Sequence, residues 1–165
     1  MSRLPKILLI VLLSFFLFTS CRKKPKYPDT PVISFKSFQV YQNGEGARLT
    51  VEFTDGNGDI GLKQSDTLAP YSSDSKYYYN LYLEYYEQVN GEMKKIDLMI
   101  PFYYRTPYIE QEGKDKSMKG ELAVDIVPYY YDFSSPRDTF EYSIQIVDRA
   151  LNESNVVYTG KMLKP

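Results

Sequence analysis

The sequence predicts an all-β fold, a single antiparallel β-sandwich of about seven strands. Three observations lead there. Several stretches alternate apolar and polar residues with a period of two, turn residues separate those stretches at short intervals, and no stretch sustains a period of 3.6. Prolines at 70, 101, 107, 128 and 136 would interrupt any long helix.

The elements follow in order. A first strand is predicted over 32–41. A second, over 47–54, sets Ala47, Leu49, Val51 and Phe53 on one face and Arg48, Thr50 and Glu52 on the other. Residues 77–89 are dense in Tyr and Leu and read as a third strand, and Asn90-Gly91 is a two-residue hairpin signal joining it to a fourth over 92–104. In that fourth segment Ile96, Leu98, Ile100 and Phe102 alternate. Leu122, Val124 and Ile126 mark a fifth strand over 118–127, and Phe140, Tyr142, Ile144 and Ile146 a sixth over 139–147. A last strand covers 155–162. Seven short strands with turns between them are the pattern of an immunoglobulin- or fibronectin III-like sandwich.

The chain before the sandwich has a different character. Arg3 and Lys6 precede an apolar run over 7–18 (ILLIVLLSFFLF), too short to span a bilayer, which takes roughly 20 residues. A basic start and a short apolar core make residues 1–20 a secretory signal peptide. Phe18-Thr19-Ser20-Cys21 then places a small residue before the single cysteine of the chain. This resembles the lipobox of bacterial lipoproteins, with Phe18 where Leu, Val or Ile is commoner, and implies that Cys21 is lipidated and becomes the mature N-terminus. A diacylglyceryl group with a further acyl chain would anchor firmly, because two or more chains make membrane attachment lasting. Residues 21–31 form the tether. Arg22, Lys23, Lys24 and Lys26 can rest against anionic headgroups, and the Tyr27 to Pro31 segment (YPDTP) is a stiff spacer.

Charge and composition exclude several functions for the domain at 32–165. Six of the 20 Lys and Arg precede Asp29, leaving 14 against 21 Asp and Glu from Asp29 onward, a net charge of −7. An acidic domain behind a basic leash argues against nucleic acid as a partner. No histidine occurs, which removes His-based triads, zinc sites and acid–base chemistry. Within the domain Ser-x-x-Lys occurs at 73–76, in a polar loop, and no carboxylate pair stands out as an acid and base. The expectation is a non-catalytic protein.

Two features are candidate sites. TDGNGDIG at 54–61 spaces Asp55, Asn57 and Asp59 two apart with glycines between, in the connection after the second strand. Asp148 and Asn152 lie in the connection between the sixth and seventh strands, which in such a sandwich sits at the same end. Five oxygen donors in two converging loops suit calcium, which takes 6–8 oxygen ligands. An EF-hand is excluded, because Ile60 stands where its loop requires Gly and Asp66 where it requires Glu. A plain structural turn is the default alternative, since Asp, Asn and Gly are ordinary turn formers. The second feature is a row of tyrosines. With Tyr77, Tyr79, Leu81, Leu83 and Tyr85 facing the core, Tyr78, Tyr82 and Tyr86 form an outer row beside Tyr103, suited to glycan or protein contacts. Equally, tyrosines simply fit half-buried pleated surfaces.

DGNGDIGL at 55–62, Lys119-Gly120-Glu121, and Asp148-Arg149-Ala150 with Ser154-Asn155 resemble a family of small Bacteroidetes lipoproteins of unknown function. Asp-Arg-Ala-x-Asn-x-Ser is also similar to the last hairpin of many bacterial immunoglobulin-like and fibronectin-like domains, where Gly usually stands in place of Leu151. The resemblance covers most of residues 31–165 and implies a cell-envelope lipoprotein, with little said about activity. In that group acidic residues after the cysteine favour export to the cell surface. The basic tether here implies an outer-membrane anchor facing the periplasm. The expected role is presentation of the sandwich to an envelope protein or glycan, with calcium as a stabiliser. The alternative is a structural accessory subunit of a larger envelope complex.

Overall fold

A computed structural model describes residues 26–111, 116–130 and 135–164. The expected signal peptide at 1–20, Cys21 and most of the expected tether lie outside the described residues. Among the described residues nine strands follow in chain order: β1 (Val32–Val40), β2 (Ala47–Asp55), β3 (Leu81–Val89), β4 (Glu92–Lys95), β5 (Phe102–Tyr104), β6 (Met118–Ile126), β7 (Thr139–Ile146), β8 (Val157–Tyr158) and β9 (Met162–Leu163). Every strand pairing is antiparallel. β1, β2 and β6 make one sheet. β4, β3, β7 and β8 make the other, with β5 added on β3 and β9 on β7. This is an all-β sandwich with the strand division of an immunoglobulin- or fibronectin III-like domain.

The period-two pattern explains the core. Leu49, Val51 and Phe53 of β2 face Leu81, Leu83 and Tyr85 of β3 and Phe140, Tyr142, Ile144 and Ile146 of β7 in one buried cluster. Each such side chain removes roughly 1.5–3 kcal/mol worth of apolar surface from water. Tyr129 joins the same cluster, with its ring 6.0 Å from that of Phe38, so it closes the core instead of facing solvent.

Three predicted strands come out differently, each for a local reason. Residues 77–89 do not form one strand. Ser75 accepts a hydrogen bond from the Tyr77 N–H at 3.0 Å and caps a 3-10 turn over Lys76–Tyr78, so the strand begins only at Leu81. Tyr77 and Tyr79 are accordingly half-buried, outside the core. The segment 92–104 divides into β4 and β5, because Pro101 has no N–H to give to a ladder. Ile96 and Leu98 still pack at the core edge, while Ile100 is 77% exposed. The last strand also divides. Tyr142 N–H donates to the Thr159 hydroxyl at 3.0 Å, and Gly160 turns left-handed at φ +78°, which separates β8 from β9.

Candidate metal centre and aromatic cleft

β2 delivers Asp55 at its last residue, with the side chain turned inward. Asp55 has no exposed surface, an unusual place for a carboxylate. One of its oxygens, Oδ2, accepts the Asp59 N–H at 2.9 Å, which curls the loop back over the strand end. Gly58 makes that curl possible. It lies at φ +69°, and a Cβ there would come within 1.9 Å of the Lys116 carbonyl oxygen.

From the other sheet, the chain leaving β7 brings in Asp148, 1% exposed. The Asn152 N–H donates to its Oδ1 and the Asn152 Nδ2 to its Oδ2, both at 2.8 Å. Asn152 thus holds Asp148 in place through its backbone and side-chain N–H groups. Leu151 sits at φ +67°, the left-handed conformation that explains why Gly is common there in similar hairpins. Ser154 Oγ accepts the Ile146 N–H at 3.1 Å. Asn155 then reaches the other sheet, accepting from Ile33 N–H at 2.8 Å and donating to its carbonyl at 2.9 Å.

The two loops meet. Asp55, Asp59 and Asp148 each place one carboxylate oxygen within 4.8 Å of the others. Two oxygens that share one calcium ion at about 2.4 Å can lie at most about 4.8 Å apart, so the spacing matches a shared ion. Asp55 Oδ1, Asp59 Oδ1 and Asn57 Oδ1 are buried without hydrogen-bond partners. Buried polar atoms nearly always find partners, so three in one loop call for a cause.

The charges agree. Burial, followed by the nearby Asp59 and Asp148 carboxylates, pushes the Asp55 carboxyl up to about 6, against the pull of backbone N–H groups of Asp59 and Gly58. Burial and then Asp148 also raise Asp59. Arg149 is the neighbouring cation, but its guanidinium pairs with Asp66 and lies 5.1 Å from the centre of the Tyr108 ring. A carboxylate and carboxamide donor set suits a hard cation such as calcium and not zinc or copper.

The tyrosines are distributed differently from the predicted row. Tyr78 lies in the 3-10 turn, with its ring under the Arg105 guanidinium at 4.8 Å. It therefore does not continue the face of Tyr82 and Tyr86. Tyr103 stands beside Tyr82, ring centres 5.0 Å apart, and donates to Glu84 at 2.6 Å. On the outer face of the larger sheet, Tyr82 and Tyr86 instead share a cleft of about 310 Å³ with Tyr77 and Tyr158, over Ser143 and Gln145. Tyr86 and Tyr158 meet edge to face at 6.1 Å. Tyr158 and Gln145 were legible only as outward positions of the last two strands, with nothing local to mark them.

No protein-family model matches the chain, and no curated protein matches it in sequence. The chemistry of its own residues is what bears on its role.

Proposed function

We propose that this chain is a non-catalytic lipoprotein, anchored through Cys21 in the outer membrane and facing the periplasm, whose sandwich binds an envelope glycan or protein in the tyrosine cleft. One observation carries the reading: four tyrosines, with Gln145, Val147 and Val156, line a concavity of about 310 Å³ on the outer sheet face. That size is at the low end of ordinary ligand pockets. The charged groups at its walls are already paired, Lys76 with Glu153 at 3.3 Å and Glu84 with Lys95 at 2.9 Å. An uncharged partner fits such a cleft, and rigid phenol rings offer contact area at little entropy cost. A neutral glycan segment is the favoured occupant.

The second reading, an accessory subunit without a ligand of its own, draws on a different surface. Met99 is 90%, Ile100 77% and Val127 65% exposed, an apolar rim suited to a permanent neighbour. Crosslinking in native envelopes, followed by capture of the full-length lipoprotein, separates the two. If the cleft is the binding site, the double variant Tyr82→Ser/Tyr158→Ser loses its crosslinked partner or retained glycan and Ile100→Asp keeps it. The reverse pattern supports the accessory subunit.

A further inference from the structure

We propose that Asp55, Asn57, Asp59 and Asp148 bind one calcium ion, and that this ion locks the end of the sandwich where the chain enters from its tether. The binding half rests on atoms. Asp55 is fully buried with Oδ1 unpartnered, and the buried Oδ1 atoms of Asn57 and Asp59 are unpartnered too. Three carboxylates from two loops stand close enough to share an ion. Asp148 is held by Asn152 through both of its oxygens, each with a further lone pair to offer a cation. Calcium is the hard cation that tolerates a flexible, irregular oxygen set, whereas magnesium demands near-octahedral geometry.

The locking half rests on topology. Asp55 and Asp59 follow β2 of the smaller sheet and Asp148 follows β7 of the larger, so one ion would join the two sheets. The residue after Asp55 receives the incoming chain. Gly56 N–H donates to the Pro28 carbonyl at 2.7 Å, and a Cβ at Gly56 would come within 2.4 Å of the Tyr27 carbonyl oxygen. A loop drawn onto an ion thus fixes the seat of residues 27–29. On the lipid-anchor reading above, only six residue steps separate Cys21 from Tyr27, a reach of at most about 20 Å. The cation end then faces the bilayer, and calcium sets how the domain stands on its leash.

The test uses the full-length lipoprotein in detergent, with calcium, magnesium or EDTA. Calcium at ten times its Kd should raise Tm by a few degrees, and magnesium at the same concentration by much less. Asp55→Asn and Asp59→Asn, which relieve like-charge repulsion and so should fold without the ion, should each abolish the calcium shift. Asp148→Asn should do the same if the ion spans both loops. Calcium should also slow tryptic cleavage after Lys26 severalfold in the wild type and not in Asp59→Asn. No shift at millimolar calcium, or a shift intact in both loop variants, overturns the site. An equal shift with magnesium overturns the calcium assignment. A calcium shift with an unchanged rate of cleavage at Lys26 overturns the lock. Failure of lipid labelling at Cys21 would leave all of these readouts standing and remove only the orientation toward the bilayer.

Discussion

The two ends of this sandwich each bury a carboxylate, and they treat it in opposite ways. Glu87, on β3 and opposite Phe140 in the ladder, is 1% exposed. Its Oε1 accepts from Lys164 Nζ at 2.7 Å and from the Tyr85 hydroxyl at 3.1 Å. Its Oε2 accepts from the Ser135 hydroxyl at 3.0 Å and Arg137 Nη1 at 3.1 Å. Burial alone would push this carboxyl up, but the bonds from Lys164, Arg137 and Ser135 outweigh it and hold Glu87 below the usual range. Asp148 follows eight residues after Phe140, roughly 26 Å along the sandwich. There three carboxylates converge, the neighbouring Arg149 is paired with Asp66, and Asp55 rises to about 6. One end brings its own counter-charges, and the other gathers carboxylates, which on the calcium proposal take theirs from solution.

Removing the compensated carboxylate should have the largest effect. Glu87→Ala removes the buried carboxylate that Lys164, whose side chain is 9% exposed, and Arg137 both bond. Breaking a buried pair typically costs about 3–5 kcal/mol, so chemical denaturation should show a loss of that order. A loss under about 1 kcal/mol would mean that solvent already screens this end.

Acid should then separate the ends. In EDTA, the folded state holds a proton on Asp55 up to about pH 6, against 3.8 in the unfolded chain, so stability should rise as pH falls from 7 to 5. The gain over that range is about 1 kcal/mol. Glu87 does not oppose it over that range, because its lowered value keeps its contribution until the pH falls below 4.5, after which stability should drop. Saturating calcium should erase the rise between pH 7 and 5. A calcium-free protein that only loses stability from pH 7 downward would remove the contrast between the ends.

A smaller effect is expected at Asn155, which ties the sheets together at the cation end without any charge. Asn155→Ala removes two hydrogen bonds to Ile33, for about 1–2 kcal/mol. If the ion joins the same sheets, calcium should recover part of that loss, measurable as a larger calcium-induced Tm shift in the variant than in the wild type.

Cys21→Ser should leave stability untouched and change only location. Metabolic labelling with a fatty-acid analogue should mark the wild type and not the variant. Equal labelling would end the lipid anchor and, with it, the placing of the cation end near a membrane.

What the sequence determined by itself is the sandwich and the meeting of its loops. The alternation at 47–55, 118–126 and 139–146 is a local signal, because side chains on a strand point to opposite faces at every step. The spacing of Asp55, Asn57 and Asp59 was visible too, and the topology implied that Asp148 would lie nearby. Tertiary structure alone decided the rest. Ser75 capping a turn moved Tyr78 off the face it was expected to share with Tyr82 and Tyr86, and Pro101 stands where the fourth predicted strand opens into two. Asn152 was expected as an oxygen donor, and the fold adds that its N–H groups hold Asp148. Glu87 looked like one more inward position of β3, yet its partners stand 48, 50 and 77 residues away in the chain. Periodicity reports which way a side chain points, whereas the charge of a buried site depends on which distant groups the fold brings within about 4 Å of it.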